Sequence, residues 1–125
     1  MGSGEAVVSD IIMLTGIRGH GHHGVFAEER RDGQEFIVDV NVHLQSRAAA
    51  TTDALVDTVN YATVAQVVHE LIIGEPVDLI ETLAEHIATK ILELGGVVKV
   101  EVTVHKPQAP IPVPFTDVAL RIMRP

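Results

Sequence analysis

Cysteine and tryptophan are both absent from this chain of 125 residues. Without thiols there is no disulfide framework and no thiolate chemistry, and a reducing compartment is allowed. Aromatic residues are scarce, with one Tyr and three Phe. Yet 46% of the chain is hydrophobic, so the core must be built from Val, Ile, Leu and Ala, a supply that suits mixed sheet and helix. Positive charge is also short. Nine Lys and Arg face seventeen Asp and Glu, and no basic block occurs, which argues against nucleic acid and anionic membranes as partners. No apolar run reaches spanning length, and the N-terminus lacks the basic flank and apolar core of a signal peptide. A soluble, cytoplasmic protein is expected, with a loose leader over 1–9 and one domain over 10–125.

The hydrophobic pattern changes period along the chain. Ile11, Ile12, Met13, Leu14 and Ile17 form a short apolar run, read as a strand over 10–18 with imperfect alternation. Asp32-Gly33 marks a turn. From Gln34 to Leu44 the alternation is clean. Phe36, Val38, Val40, Val42 and Leu44 share one face, with Ile37, Asp39, Asn41 and His43 opposite. Residues 45–59 read as a polar connection. Asn60 then caps a helix in which Tyr61, Val64, Ala65, Val68, Leu71 and Ile72 recur at helical spacing. Gly74-Glu75-Pro76 ends it. Asp78 and Glu81 have the spacing of a capping box, and Ile80, Leu83, Ile87 and Ile91 form the buried stripe of a second helix, which stops at Gly95-Gly96.

A third alternating run spans Val98 to Lys106, with Val98, Val100, Val102 and Val104 on one side. Lys106 is next in that apolar register. An ammonium is thereby delivered to the edge of the buried face, where desolvation disfavours charge. Four prolines between 107 and 114 hold the next segment extended. Val118, Leu120 and Ile122 mark a last strand. The expected architecture is α+β, in the order β-β-α-α-β-β, an antiparallel sheet with two helices on one face. Its other face is polar and its two edges are unpaired. A ring of subunits closing into a barrel satisfies both features, and so does a monomeric two-layer sandwich with its polar face in water.

Two constellations carry candidate chemistry. Gly19-His20-Gly21-His22-His23-Gly24 reads as an irregular loop with partly exposed imidazoles. Three histidines in four positions also raise a metal site, although the spacing is not a standard zinc pattern. The second comprises Glu29, Tyr61, Glu81 and Lys106. Each has an ordinary structural explanation: a solvated charge run, a helix-starting core residue, a capping carboxylate and a strand-end lysine.

Taken together the pieces resemble dihydroneopterin aldolase of folate synthesis, from Asp10 to Arg124. The resemblance rests on Gly21-His22-His23-Gly24 followed by Glu29 and Gly33-Gln34; on Asp57-Thr58-Val59-Asn60-Tyr61; on Leu79-Ile80-Glu81-Thr82-Leu83-Ala84-Glu85; and on His105-Lys106-Pro107-Gln108-Ala109-Pro110-Ile111-Pro112. Relatives often carry aromatics around the glycine-histidine loop, where this chain has His20 and His22. The resemblance implies a tunnelling fold, with rings of four subunits stacked into an octamer and sites between neighbours. It implies a pterin substrate, no cofactor and no metal. Lys106 is then the central acid/base group. Tyr61 from the adjacent subunit orients the side chain and relays a proton. Glu29 holds the side-chain hydroxyls and Lys106. Glu81 anchors the ring, and Leu79 and Ile80 line its slot. Epimerase or oxygenase chemistry on the same pterin is the nearest alternative. A zinc enzyme like pyruvoyl tetrahydropterin synthase, with the histidines as ligands, is a more distant one.

Overall fold

The computed structural model describes residues 9–125; the expected leader lies outside them apart from Ser9. Four strands, β1 (Ile11–Gly21), β2 (Gln34–Leu44), β3 (Val97–His105) and β4 (Ala119–Arg124), form one sheet in the order β1-β2-β3-β4. Every neighbouring pair is antiparallel. Two long helices, α3 (Tyr61–Ile73) and α4 (Ile80–Leu92), lie between β2 and β3 in sequence. Short helices α1 (Ala27–Asp32) and α2 (Ala49–Thr52) interrupt the connections. The β-β-α-α-β-β order expected from periodicity is the order found.

The core follows from the two periodicities. Phe36, Val38, Val40 and Val42 of β2 and Val100, Val102 and Val104 of β3 present one fully buried face. Val64, Val68 and Ile72 of α3, and Leu83, Ile87 and Ile91 of α4, cover it. α3 packs over β1, α4 over β3 and β4, and the helices touch each other. Truncating one of these residues, such as Ile87 to Ala, is expected to cost about 2–5 kcal/mol. No helix among the described residues is long and apolar enough to cross a membrane.

Several local expectations need correction. β1 does not stop at Arg18 but runs on to Gly21, so His20 belongs to a strand rather than a loop. Its imperfect alternation is a bulge between Leu14 and Ile17. Gly16 adopts φ +76° there and donates its N–H to Asp39 Oδ1 at 2.8 Å. The charged stretch 27–32 coils into α1. The 45–59 connection contains α2 and a 3₁₀ turn over 55–57. β3 begins at Val97 and ends at His105, and its register with β2 shifts near Leu44, which leaves Val98 40% exposed. α4 has no side-chain cap. Leu79 sits at its N-cap, and Asp78 is paired with Arg30 instead. The helix ends at Leu92, ahead of the two glycines. Asn60 does cap α3, accepting the Ala62 N–H at 2.9 Å.

Candidate active site

Lys106 lies one residue beyond β3 and keeps the strand's alternation, so its side chain turns toward the core face. There its Nζ sits 2.7 Å from Glu29 Oε2. The two side chains are only 12% and 6% exposed, so the ion pair is shielded from water. Glu29 is held from three directions. Gln34 Nε2 donates to Oε2 at 2.9 Å, and the Phe26 N–H donates to Oε1 at 3.2 Å across the first turn of α1. Burial pushes the Glu29 carboxyl up. The Lys106 ammonium, the Phe26 amide and Gln34 outweigh it, and the net shift is below the ordinary value. The carboxylate is therefore ionised at neutral pH. Gln34 Oε1 is buried without a partner, an unused acceptor beside the pair.

The chain folds tightly around this carboxylate. A Cβ placed on Gly24 would lie 2.3 Å from Glu29 Oε1, so any larger residue there displaces Glu29. Gly24 donates its N–H to Val77 O at 2.9 Å. Arg30 donates Nε–H to Gly24 O at 2.9 Å and forms an ion pair with Asp78. These ties carry the segment 77–81 to the same end of the sheet as Glu29 and Lys106. Leu79, half exposed, sits at the N-cap of α4; Ile80 is partly buried and Glu81 is exposed in its first turn. An exposed carboxylate at a helix N-terminus accepts hydrogen bonds from a ligand without first losing a protein partner.

The histidines behave differently from expectation. His23 is 1% exposed, not partly exposed. Its Nδ1 accepts the Val77 N–H at 3.1 Å, so its Nε2 carries the proton given to Ile72 O at 2.8 Å. Burial lowers its pKa, in keeping with a neutral ring. Neither nitrogen remains for a metal. His20 and His22 each place a ring nitrogen on a carbonyl of α1's last turn, at Asp32 O (2.8 Å) and Arg30 O (2.9 Å). His20 and His22 lie edge to face with ring centroids 5.3 Å apart, but His23, with both nitrogens engaged, does not join them, and no group of three side chains that could hold a metal occurs among the described residues.

Tyr61 is not part of this cluster. It begins α3, is 62% exposed, and lines a separate apolar cavity of about 640 Å³ with Ile12, Met13, Leu14, Leu55 and Val59. That cavity flanks β1 residues paired with Val40, Asn41 and Val42, whereas Glu29 contacts Gln34 at the start of β2. Along β2 the separation is about 20 Å. Within one chain, then, Glu29, Lys106 and the 79–81 segment share one end of the sheet, and Tyr61 stands at the other. From the sequence Gln34 has no assigned role, Arg30 carries no signal, and Asp78 reads only as half of a capping box. Arg30 and Asp78 are 48 residues apart, so no local pattern connects them.

The family model for dihydroneopterin aldolase matches residues 12–123. The chain belongs to the dihydroneopterin aldolase family. Dihydroneopterin aldolase of Streptomyces coelicolor is 53% identical over 115 residues, covering 92% of this chain and 97% of that one. The Bacillus subtilis dihydroneopterin aldolase is 42% identical over 116 residues, again covering 92% and 97%. Among solved structures, Escherichia coli dihydroneopterin aldolase in complex with neopterin superposes with a TM-score of 0.84 at 26% identity, covering 93% of this chain and 99% of that chain. The tunnelling fold implied by the motifs is therefore the fold of this dihydroneopterin aldolase family member.

Proposed function

We propose that this chain cleaves 7,8-dihydroneopterin by a retro-aldol reaction in folate synthesis, in the cytoplasm, and that Lys106 is its acid/base group. The observation that carries the reading is the shielded Glu29–Lys106 pair, with Glu81, exposed at the start of α4, on the segment tied to the same end of the sheet.

The pterin presents a ring N–H and an exocyclic amino group side by side. Glu81 accepts both, and Leu79 and Ile80 flank the ring. The bond that breaks joins the first and second side-chain carbons. The hydroxyl proton on the second carbon leaves through water, and that carbon becomes the aldehyde of glycolaldehyde. The bonding electrons move onto the first carbon and into the neighbouring ring C=N. Lys106 supplies the proton that the ring nitrogen takes up, so no lysine Schiff base is needed. The enamine then takes a proton on the first carbon and returns the one on nitrogen, giving 6-hydroxymethyl-7,8-dihydropterin. Glu29 steadies the ammonium and the side-chain hydroxyls throughout.

Tyr61 acts in the site of a neighbouring copy. Its cavity and the Lys106 end are complementary halves: an apolar recess with one hydroxyl, and a charged rim. The unpaired edges of β1 and β4 fit the same assembly, with four chains closing a barrel and two rings stacking.

The test is Lys106→Ala. Turnover of dihydroneopterin is expected to fall by at least about 10²-fold, with product affinity kept within about tenfold. Equal loss of both would reduce Lys106 to a binding group. Product chromatography on the unaltered protein separates cleavage from re-addition: glycolaldehyde marks the aldolase, and the inverted side chain alone marks an epimerase.

A further inference from the structure

His105 ends β3 one residue before Lys106. Because side chains alternate, it faces the polar side of the sheet while Lys106 turns to the core. Its ring is held at both nitrogens. Nδ1 lies 2.7 Å from Asp117 Oδ2, and Nε2 lies 2.7 Å from Asp39 Oδ2. Ionised carboxylates only accept hydrogen bonds, so both ring nitrogens donate and the ring is an imidazolium. The other Asp39 oxygen takes the Gly16 N–H at the β1 bulge. One cation thus joins the bulge of β1, the middle of β2, the end of β3 and the residues entering β4. It is only 25% exposed.

This clasp bears directly on Lys106. The Lys106 backbone N–H reaches Val118 O at 2.8 Å, one residue from Asp117. The intervening segment carries four prolines and adds no strand to the sheet; Gln108 Oε1 accepts the Glu35 N–H of β2 at 3.2 Å, and the Lys106–Val118 bond and the His105 clasp hold its two ends. Remove the imidazolium, and Asp39 and Asp117 become two partly buried carboxylates facing an uncharged ring. Arg121 of β4 still acts on Asp39, and Gly16 still donates to it, but the Asp117 side chain then has no hydrogen-bond partner among the described residues.

We propose that His105 is a positioning residue for the reaction: its imidazolium fixes the strand end that presents Lys106 and ties the proline segment to the sheet. The proposal rests on the reading of Lys106 as the acid/base group. The Asp117 carboxylate, followed by Asp39, raises the His105 pKa against burial, above its ordinary 6.5. The clasp is therefore complete below that elevated value, as long as the two carboxylates stay ionised, and is lost as pH rises through it. Turnover acquires a descending limb on the alkaline side that belongs to His105.

The experiment measures kcat and KM for the full-length protein, His105→Gln and Asp117→Asn from about pH 6 to 9. His105→Gln is expected to lower kcat by about tenfold or more, with KM within about threefold, and to lose the His105 limb. Asp117→Asn is expected to move that limb to lower pH, a displacement that a merely structural contact does not produce. Ring ¹⁵N shifts of His105 at neutral pH are expected to show both nitrogens protonated. If His105→Gln does not fold, the Asp117→Asn limb and the ¹⁵N shifts decide. A neutral ring, or a limb unmoved in Asp117→Asn, overturns the proposal. So does a folded His105→Gln that matches the parent in kcat, or that loses kcat and binding alike. Lys106→Ala separates the two failures. If it keeps full turnover, the Lys106 reading has failed. If it loses turnover while the His105 limb stays fixed, only the positioning claim has failed.

Discussion

Glu29 shows how much a single environment decides. In sequence it is the second of two glutamates ahead of two arginines, and a solvated charge run is its plainest description. In the fold α1 turns it inward against Lys106, Gln34 and the Phe26 amide, while Glu28 stays in water. Its pKa is lowered from the ordinary 4.5, so its ionic contribution to stability is present above that value and is lost as pH falls through the depressed one. Urea unfolding of the parent and Glu29→Gln is expected to show a constant stability difference from neutral pH down to about 4.5, narrowing further into acid. A difference that persists undiminished in strong acid contradicts an ionised Glu29 in the native state. Glu81 is the opposite case. It has no partner to lose among the described residues, so Glu81→Ala should leave the fold intact and weaken pterin binding by about 1.5–3 kcal/mol, the value of a charge-assisted pair. Calorimetry that finds unchanged affinity removes the anchor assignment.

The two long helices begin by different means, and this separates what was legible in the chain from what was not. Asn60 precedes a regular stripe and caps α3 by the local rule. Asn60→Ala is expected to cost about 1 kcal/mol in a denaturant melt. Asp78 and Glu81 have capping-box spacing too, but Arg30, far away in sequence, takes Asp78. Asp78→Ala should therefore leave the start of α4 unchanged in backbone chemical shifts while loosening the tie to α1; fraying of residues 80–83 would restore the capping role. The same division runs through the sheet. Gln34–Leu44 was readable because period two with one buried face has a single register. The last three residues of β1 are not legible, because its bulge breaks the alternation at Gly16 and glycines crowd its end. The motif residues name the groups that the fold gathers at one end of the sheet and the tyrosine that it leaves at the other. The Glu29–Lys106 contact, the commitment of His23 to Ile72 and Val77, and the Asp39–His105–Asp117 clasp all depend on which strands meet, and no local spacing encodes them.

At the scale of the whole molecule, the candidate residues of one chain fall at two places. Glu29, Lys106 and Glu81 gather at one end of the sheet, and Tyr61 with its apolar recess stands about 20 Å away along β2. Two exposed sheet edges offer the means of bringing a second copy alongside. If the site is shared between copies, two defective chains can repair one another. Lys106→Ala and Tyr61→Ala homo-oligomers are each expected to be nearly inactive. Unfolding them together and refolding the mixture pairs an intact Lys106 with an intact Tyr61 in about a quarter of the sites of a randomly assembled ring. Recovery of about that share of parental dihydroneopterin cleavage is the predicted result. Mixed oligomers that form, as native mass spectrometry would show, yet stay as inactive as their parents would contradict it.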